Sequence, residues 1–164
     1  MNIKNAREKA DFEAVGAIFA ASWKVAYRGI VPQGHLDSLD ASVWVKNLSS
    51  SQYDVFVIFD GETPIGATAV CAARDGAMAG WGEITAIYLL PEYFGKGYAA
   101  PLFQRAVNAL TENGYRQIYL WVLEENRRAR AFYEAHGFQP NGDQDTITVG
   151  GKALSEIRYT LEMT

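Results

Sequence analysis

The chain has 164 residues, 49% of them hydrophobic, 13% aromatic and 21% charged, with a formal net charge of −4; one domain spanning residues 1–164 can bury roughly 70% of its unfolded surface. This composition excludes a disordered or fibrous chain, and the acidic balance argues against a nucleic-acid surface, which needs clustered Lys and Arg. Cys71 is the sole cysteine, so neither an internal disulfide nor a thiol cluster for zinc is available.

A short strand is expected at Ile3–Arg7. Asp11 can cap a helix whose apolar face is Phe12, Val15, Ile18, Phe19 and Ala26, ending near Gly29. The turn Val31-Pro32-Gln33-Gly34 leads past His35, read as a loop residue, into a shorter helical stretch carrying Leu36, Leu39, Val43, Trp44 and Leu48. The period then changes. Tyr53–Phe59 is β-rich, Asp60-Gly61 is a hairpin signal, and Ile65–Ala73 forms the return strand, where Cys71 reads as a small buried hydrophobe. This longest nearly apolar run is far short of the ~20 residues of a membrane span. The N-terminus has no signal-peptide core, so the cytoplasm is the expected location.

After a polar loop at Asp75–Gly80 comes a strand at Trp81–Leu90, where alternation puts Trp81, Glu83 and Thr85 on one face. A helix follows from about Tyr98 to Asn113, with Leu102, Ala106, Val107 and Leu110 on one side; Pro101 falls in its first turn, where the missing N–H costs little. Gly114 ends it. Gln117–Val122 is a strand apolar enough to be covered on both faces, Asn126–His136 a helix, and Thr146–Val149 and Ala153–Leu161 a hairpin joined by Gly150-Gly151. The order β-α-α-β-β-β-α-β-α-β-β gives a mixed α/β sheet of about seven strands with helices against its faces.

The stretch from Glu83 to Ala99 carries the chemistry. A strand runs into a glycine-bearing turn and then a helix start, whose unpaired N–H groups and positive dipole end favour an anion. Gly95 and Gly97 keep side chains out of that turn, although two glycines alone also suit an ordinary tight connection. A Walker loop fails because Gly97, not Ser or Thr, follows Lys96, and a dinucleotide fingerprint fails at Ala100. What remains, Phe94-Gly95-Lys96-Gly97-Tyr98-Ala99 after a strand and Pro91, resembles the Gln/Arg-x-x-Gly-x-Gly/Ala signature of the GNAT superfamily of acyl-CoA-dependent N-acyltransferases. Phe94 departs from the usual polar residue. A second block, Leu120-Trp121-Val122-Leu123-Glu124-Glu125-Asn126 with Ala129, Phe132-Tyr133-Glu134 and Gly137-Phe138, resembles the family's strand, Asn-led helix and terminal Gly-Phe.

The resemblance implies a mostly antiparallel seven-stranded GNAT sheet flanked by helices. It also implies a reaction: transfer of acetyl from acetyl-CoA to a primary amine by direct attack, without a metal. The coenzyme pyrophosphate would rest on the backbone of Phe94, Gly95, Lys96, Gly97, Tyr98 and Ala99, with the pantetheine arm pairing along Ile87, Tyr88 and Leu89 and touching Asn126. Tyr133 stands where relatives place a tyrosine beside the sulfur; a phenol with a pKa near ~10 can protonate a departing thiolate. Glu83, four residues before Ile87, stands where histone-type members carry a general base, which must take a proton from an amine of pKa near ~10.4. Other members use another carboxylate or water, and Glu124 and Glu125 are available.

Trp23, Tyr27 and Arg28 fall in a segment that borders the acceptor groove in one bacterial subgroup; aromatic rings suit a cation and an arginine a carboxylate. Arg127, Arg128 and Arg130 crowd a helix start and oppose its dipole, which either the coenzyme's phosphates or solvent would relieve. The expected partners are a small-molecule or peptide amine and a second copy of the chain, with no nucleic acid and no membrane. The alternative reading is a non-catalytic acyl-CoA-binding sensor on the same fold.

Overall fold

The helix expected near Asp11 starts three residues earlier. Glu8 precedes it, and the Asp11 carboxylate reaches back to accept the backbone N–H groups of Arg7 and Glu8, both at 2.9 Å; these bonds lower its pKa and satisfy donors that a helix start leaves unpaired. Over residues 1–164 of a computed structural model the elements are β1 (Asn2–Asn5), α1 (Lys9–Ala26), α2 (Gln33–Asp37), α3 (Ala41–Leu48), β2 (Asp54–Asp60), β3 (Thr63–Ala72), β4 (Gly82–Leu89), α4 (Ala99–Glu112), β5 (Gln117–Leu123), α5 (Arg127–Ala135), β6 (Gln139–Val149) and β7 (Lys152–Glu162). The helical stretch through Leu36 and Leu48 is thus two helices. Asp40 separates them, its carboxylate accepting the Ser42 N–H at 2.9 Å as an N-cap.

One seven-stranded sheet has the order β1-β2-β3-β4-β5-β7-β6. Every neighbouring pair is antiparallel except β4 with β5, which is the mixed α/β sheet that the order of elements implied and the mostly antiparallel pairing that the resemblance implied. On one face α4 buries Leu102, Phe103, Ala106 and Leu110 against Ile84, Ile118, Leu120, Val122 and Tyr159. On the other, α1 lays Val15, Ile18 and Phe19 over Val55, Val57, Ala67 and Ala69. Each large side chain so buried contributes roughly 1.5–3 kcal/mol, which makes these two faces, rather than helix propensity, the source of the arrangement. The turn between β6 and β7 rests on α2: a Cβ on Gly150 would lie 2.7 Å from the Cβ of His35. His35 is therefore a helical packing residue and not a loop residue. No helix is long and apolar enough to cross a membrane.

Two irregularities of β4 matter for the site. Ala69 pairs with Ala86 but Val70 with Ile84, so Thr85 is an unmatched bulge residue, its hydroxyl donating to the Ala69 carbonyl at 3.1 Å. A bulge reverses the alternation of faces beyond it. Ile84, Ile87 and Leu89 pack with the α4 core, while Ala86 and Tyr88 pack towards α1, so Ile84 and Ile87 share a face although three residues separate them. In addition, β4 and β5 pair only at Gly82↔Ile118 and Glu83↔Tyr119. Beyond those residues the two strands part.

Candidate active site

The parting of β4 from β5 leaves the β5-facing edge of Thr85–Leu89 without a strand partner. Such an edge can take up the amides of an extended ligand as an added strand, and Ile87, Tyr88 and Leu89 all lie on it. At its end a 3-10 turn at Pro91–Tyr93 leads into the cradle. Gly95 and Gly97 have φ of 71° and 89°, a left-handed backbone that glycine adopts without strain, and a Cβ on Gly97 would meet nothing within 4 Å. The N–H groups of Gly95, Lys96, Gly97, Tyr98 and Ala99 donate to no acceptor in the protein. Five unpaired donors in the turn and the first residue of α4 are a setting suited to a phosphate; Lys96 turns its ammonium over the Tyr93 ring at 5.7 Å, so its contribution there is the backbone donor.

Across the gap, α5 begins as its sequence indicated: Asn126 Oδ1 accepts the Ala129 N–H at 3.3 Å. Two turns later the Tyr133 ring packs against Phe103 and Tyr159, at centroid distances of 5.6 and 6.2 Å. Its hydroxyl has no hydrogen-bond partner in the protein. Burial, with the Tyr88 phenol as a second cause, holds the Tyr133 pKa above the ordinary tyrosine value, so the proton is retained at any physiological pH. Tyr88 approaches from the α1 side, its hydroxyl 2.9 Å from that of Tyr27. Asn126, Tyr88 and Tyr133 thus meet at the place where the strands diverge.

Trp23 and Tyr27 join this group, and Arg28 does not. Tyr27 is only 7% exposed and stacks edge-on with Trp23 at 4.7 Å; burial raises its pKa, with Tyr88 the next cause. Its ring is a support beneath Tyr88 rather than an open pocket wall. The Trp23 indole Nε1 is buried without a partner, an unusual state for a buried donor. Arg28 lies exposed on the surface after α1.

Glu83 is 2% exposed and its carboxylate is fully engaged. It accepts from the Arg74 backbone N–H (3.1 Å), Arg74 Nε (3.2 Å), Arg74 Nη2 (2.7 Å) and the Tyr119 hydroxyl (2.7 Å). Burial, then the Glu83 carboxylate, raises the Tyr119 phenol and pushes the Cys71 thiol up to about 11. On the same face the Arg158 guanidinium lies 5.3 Å over the Trp121 ring and pairs with Asp75 and Asp143, while Glu156, opposite Leu123 in the ladder, has a pKa raised by burial and by Asp145. Arg74, Tyr119 and Arg158 carry no sequence signal of their own. They reach Glu83 and Trp121 only through strand register.

A sheet that splays beside a glycine cradle, with a tyrosine and an Asn-capped helix on the far wall, defines an acyltransferase-type site. The Acetyltransferase (GNAT) family profile matches residues 18–138, and the chain belongs to that family of acetyl-CoA-dependent N-acetyltransferases. It is 28% identical over 149 residues to the uncharacterized N-acetyltransferase YuaI of Bacillus subtilis (strain 168), covering 90% of this chain and 85% of that one. It is 23% identical over 158 residues to the spermidine N(1)-acetyltransferase of Thermoplasma acidophilum, covering 91% and 92%. Its fold matches the crystal structure of the PaiA N-acetyltransferase of Thermoplasma acidophilum in complex with coenzyme A with a TM-score of 0.74 at 21% identity, over 99% of both chains.

Proposed function

We propose that residues 1–164, acting as one domain in the cytoplasm, move an acetyl group from acetyl-CoA to a primary amine by direct attack in the gap between β4 and β5. The observation that carries this reading is the gap itself: an unpaired β4 edge, five unpaired N–H donors at its end and the protonated Tyr133 phenol across from it. Acetyl-CoA supplies an activated thioester. The backbone of Phe94–Ala99 holds its phosphates, the edge at Ile87, Tyr88 and Leu89 together with Asn126 orients its arm, and Tyr133 gives the departing sulfur a proton.

The acceptor enters from the face of Glu83, Trp121 and Glu156, with Trp23 and Tyr27 supporting Tyr88 and Arg28 at the outer rim. Glu83 is the proposed acceptor for the amine proton, received when Tyr119 or Arg74 releases one of its carboxylate oxygens. Spermidine, the acceptor named for the Thermoplasma acidophilum relative, heads the amines to test, followed by aminoglycosides, amino acids and peptides. Thiol release from acetyl-CoA, followed across that panel, tests the reading. Amine-dependent release supports it, whereas CoA binding without release for every amine assigns the chain to acyl-CoA sensing.

A further inference from the structure

We infer that Arg128 replaces the polar side chain that position 94 lacks, contacting the coenzyme's phosphates from the far wall of the cradle. The inference rests on the cradle being the coenzyme's phosphate site. Three arginines occupy the first turn and a half of α5, and the structure gives them three different settings. Arg130 is consumed internally, its Nε donating to the Tyr159 hydroxyl and its Nη1 to the Glu124 carbonyl, both at 3.0 Å. Arg127 lines, together with Arg130, a separate depression of about 660 Å³ shared with Glu124, Glu125 and Lys152. Arg128 leans the other way, towards α4.

Its guanidinium lies 4.8 Å over the Phe94 ring, and its Nη2 is 3.7 Å from the point that a Cβ on Gly95 would occupy. It has no carboxylate at ion-pair distance and donates no hydrogen bond within the protein. A cation at the positive end of a helix dipole is unfavourable unless an anion offsets it, and Arg128 has none. The aromatic residue that breaks the family pattern is what holds it. A guanidinium resting on a ring face by cation–π attraction keeps its N–H edges available, and that planar fork matches two oxygens of a phosphate. The five backbone donors of the turn and the Arg128 fork then border one anion site, with Phe94 as the platform between them.

Calorimetry on the full chain with CoA, 3′-dephospho-CoA and pantetheine tests this without recourse to turnover. Arg128→Met is expected to weaken CoA binding by about tenfold or more, to leave pantetheine binding unchanged and to reduce the salt dependence of CoA affinity. Arg128→Lys should restore the charge but only part of the affinity, because it lacks the fork. Phe94→Leu should weaken CoA by a smaller factor in the wild-type background and not at all in Arg128→Met, since the ring acts through the arginine. A penalty kept with 3′-dephospho-CoA assigns the contact to the pyrophosphate, and a penalty lost there assigns it to the 3′-phosphate. Unchanged CoA affinity in Arg128→Met, or equal weakening of CoA and pantetheine, overturns the inference while leaving the cradle in place. Failure of the wild-type chain to bind CoA overturns both.

Discussion

Tyr133→Phe separates a chemical role from a packing role more sharply than any other single change, because the structure lets both magnitudes be worked out. The ring and its contacts with Phe103 and Tyr159 are preserved. The hydroxyl that is removed has no protein partner, so no other buried group is orphaned and stability should move by less than about 0.5 kcal/mol, unlike the 1–3 kcal/mol cost of leaving a buried polar group unpaired. The rate should respond very differently. Burial and Tyr88 raise the Tyr133 pKa, so the proton is present over the whole neutral range, and losing it should cost about 10²–10⁴-fold in kcat, the usual span of general acid catalysis. That factor corresponds to roughly 2.7–5.4 kcal/mol of barrier. Initial rates of thiol release at saturating acetyl-CoA, with CoA affinity by calorimetry and thermal unfolding as controls, read all three. A folded variant with full kcat would reduce Tyr133 to packing and refute the reasoning.

Gly97→Asp puts a side chain on a residue with φ of 89° and an anion in the turn. A folded variant should bind CoA at least tenfold more weakly, about 1.4 kcal/mol, and unchanged affinity would move the phosphate site elsewhere. Glu83→Gln should slow transfer mainly near neutral pH and recover as pH rises, because more of the amine is then already deprotonated; the same loss at every pH would replace the base with a positioning role. Tyr27→Phe removes the partner of the Tyr88 hydroxyl at 2.9 Å and should cost about 1–3 kcal/mol, lowering Tm by several degrees. An unchanged Tm would mean that water fills the place. Tyr27, Tyr88 and Tyr133 all have pKa values raised by burial. Their stabilising effect is complete below pH ~10, where the unfolded phenols titrate, and each is lost at up to about 1.4 kcal/mol per pH unit as pH rises from there towards the folded values. Denaturant unfolding between pH 9 and 11 should accordingly weaken on the alkaline side, and a flat profile would contradict the burial.

The parts of the site legible in the sequence are those encoded by adjacent residues. A strand followed by Gly95 and Gly97 before a helix, and Asn126 three residues ahead of the N–H that it caps, are local patterns, and both stand where they were expected. The bulge at Thr85 is set by how β4 registers on β3, which no local pattern specifies, so strict alternation does not carry past it to Ile87 and Leu89. Arg74 reaches Glu83 because the β3–β4 hairpin pairs Cys71 with Glu83, and Tyr119 because β5 pairs there; neither partner is adjacent to Glu83 in the sequence. Tyr27 meets Tyr88 across 61 residues of chain. The polar first half of β6, Gln139–Thr146, lacks the apolar alternation that marks a strand and is recruited by its ladder with β7. Phe94 looked like a defect in the motif, and only the tertiary contact with Arg128 gives that ring a partner.

The central claim is that acetyl leaves acetyl-CoA for an amine nitrogen in the gap between β4 and β5. A mass balance on the most active amine of the panel tests it most directly, with free thiol counted against N-acetylated product by mass spectrometry under single-enzyme conditions. The account requires one acetylated nitrogen for each thiol released, with both lost together in Tyr133→Phe. Thiol released without acetylated amine, or CoA bound with neither product formed, would contradict it.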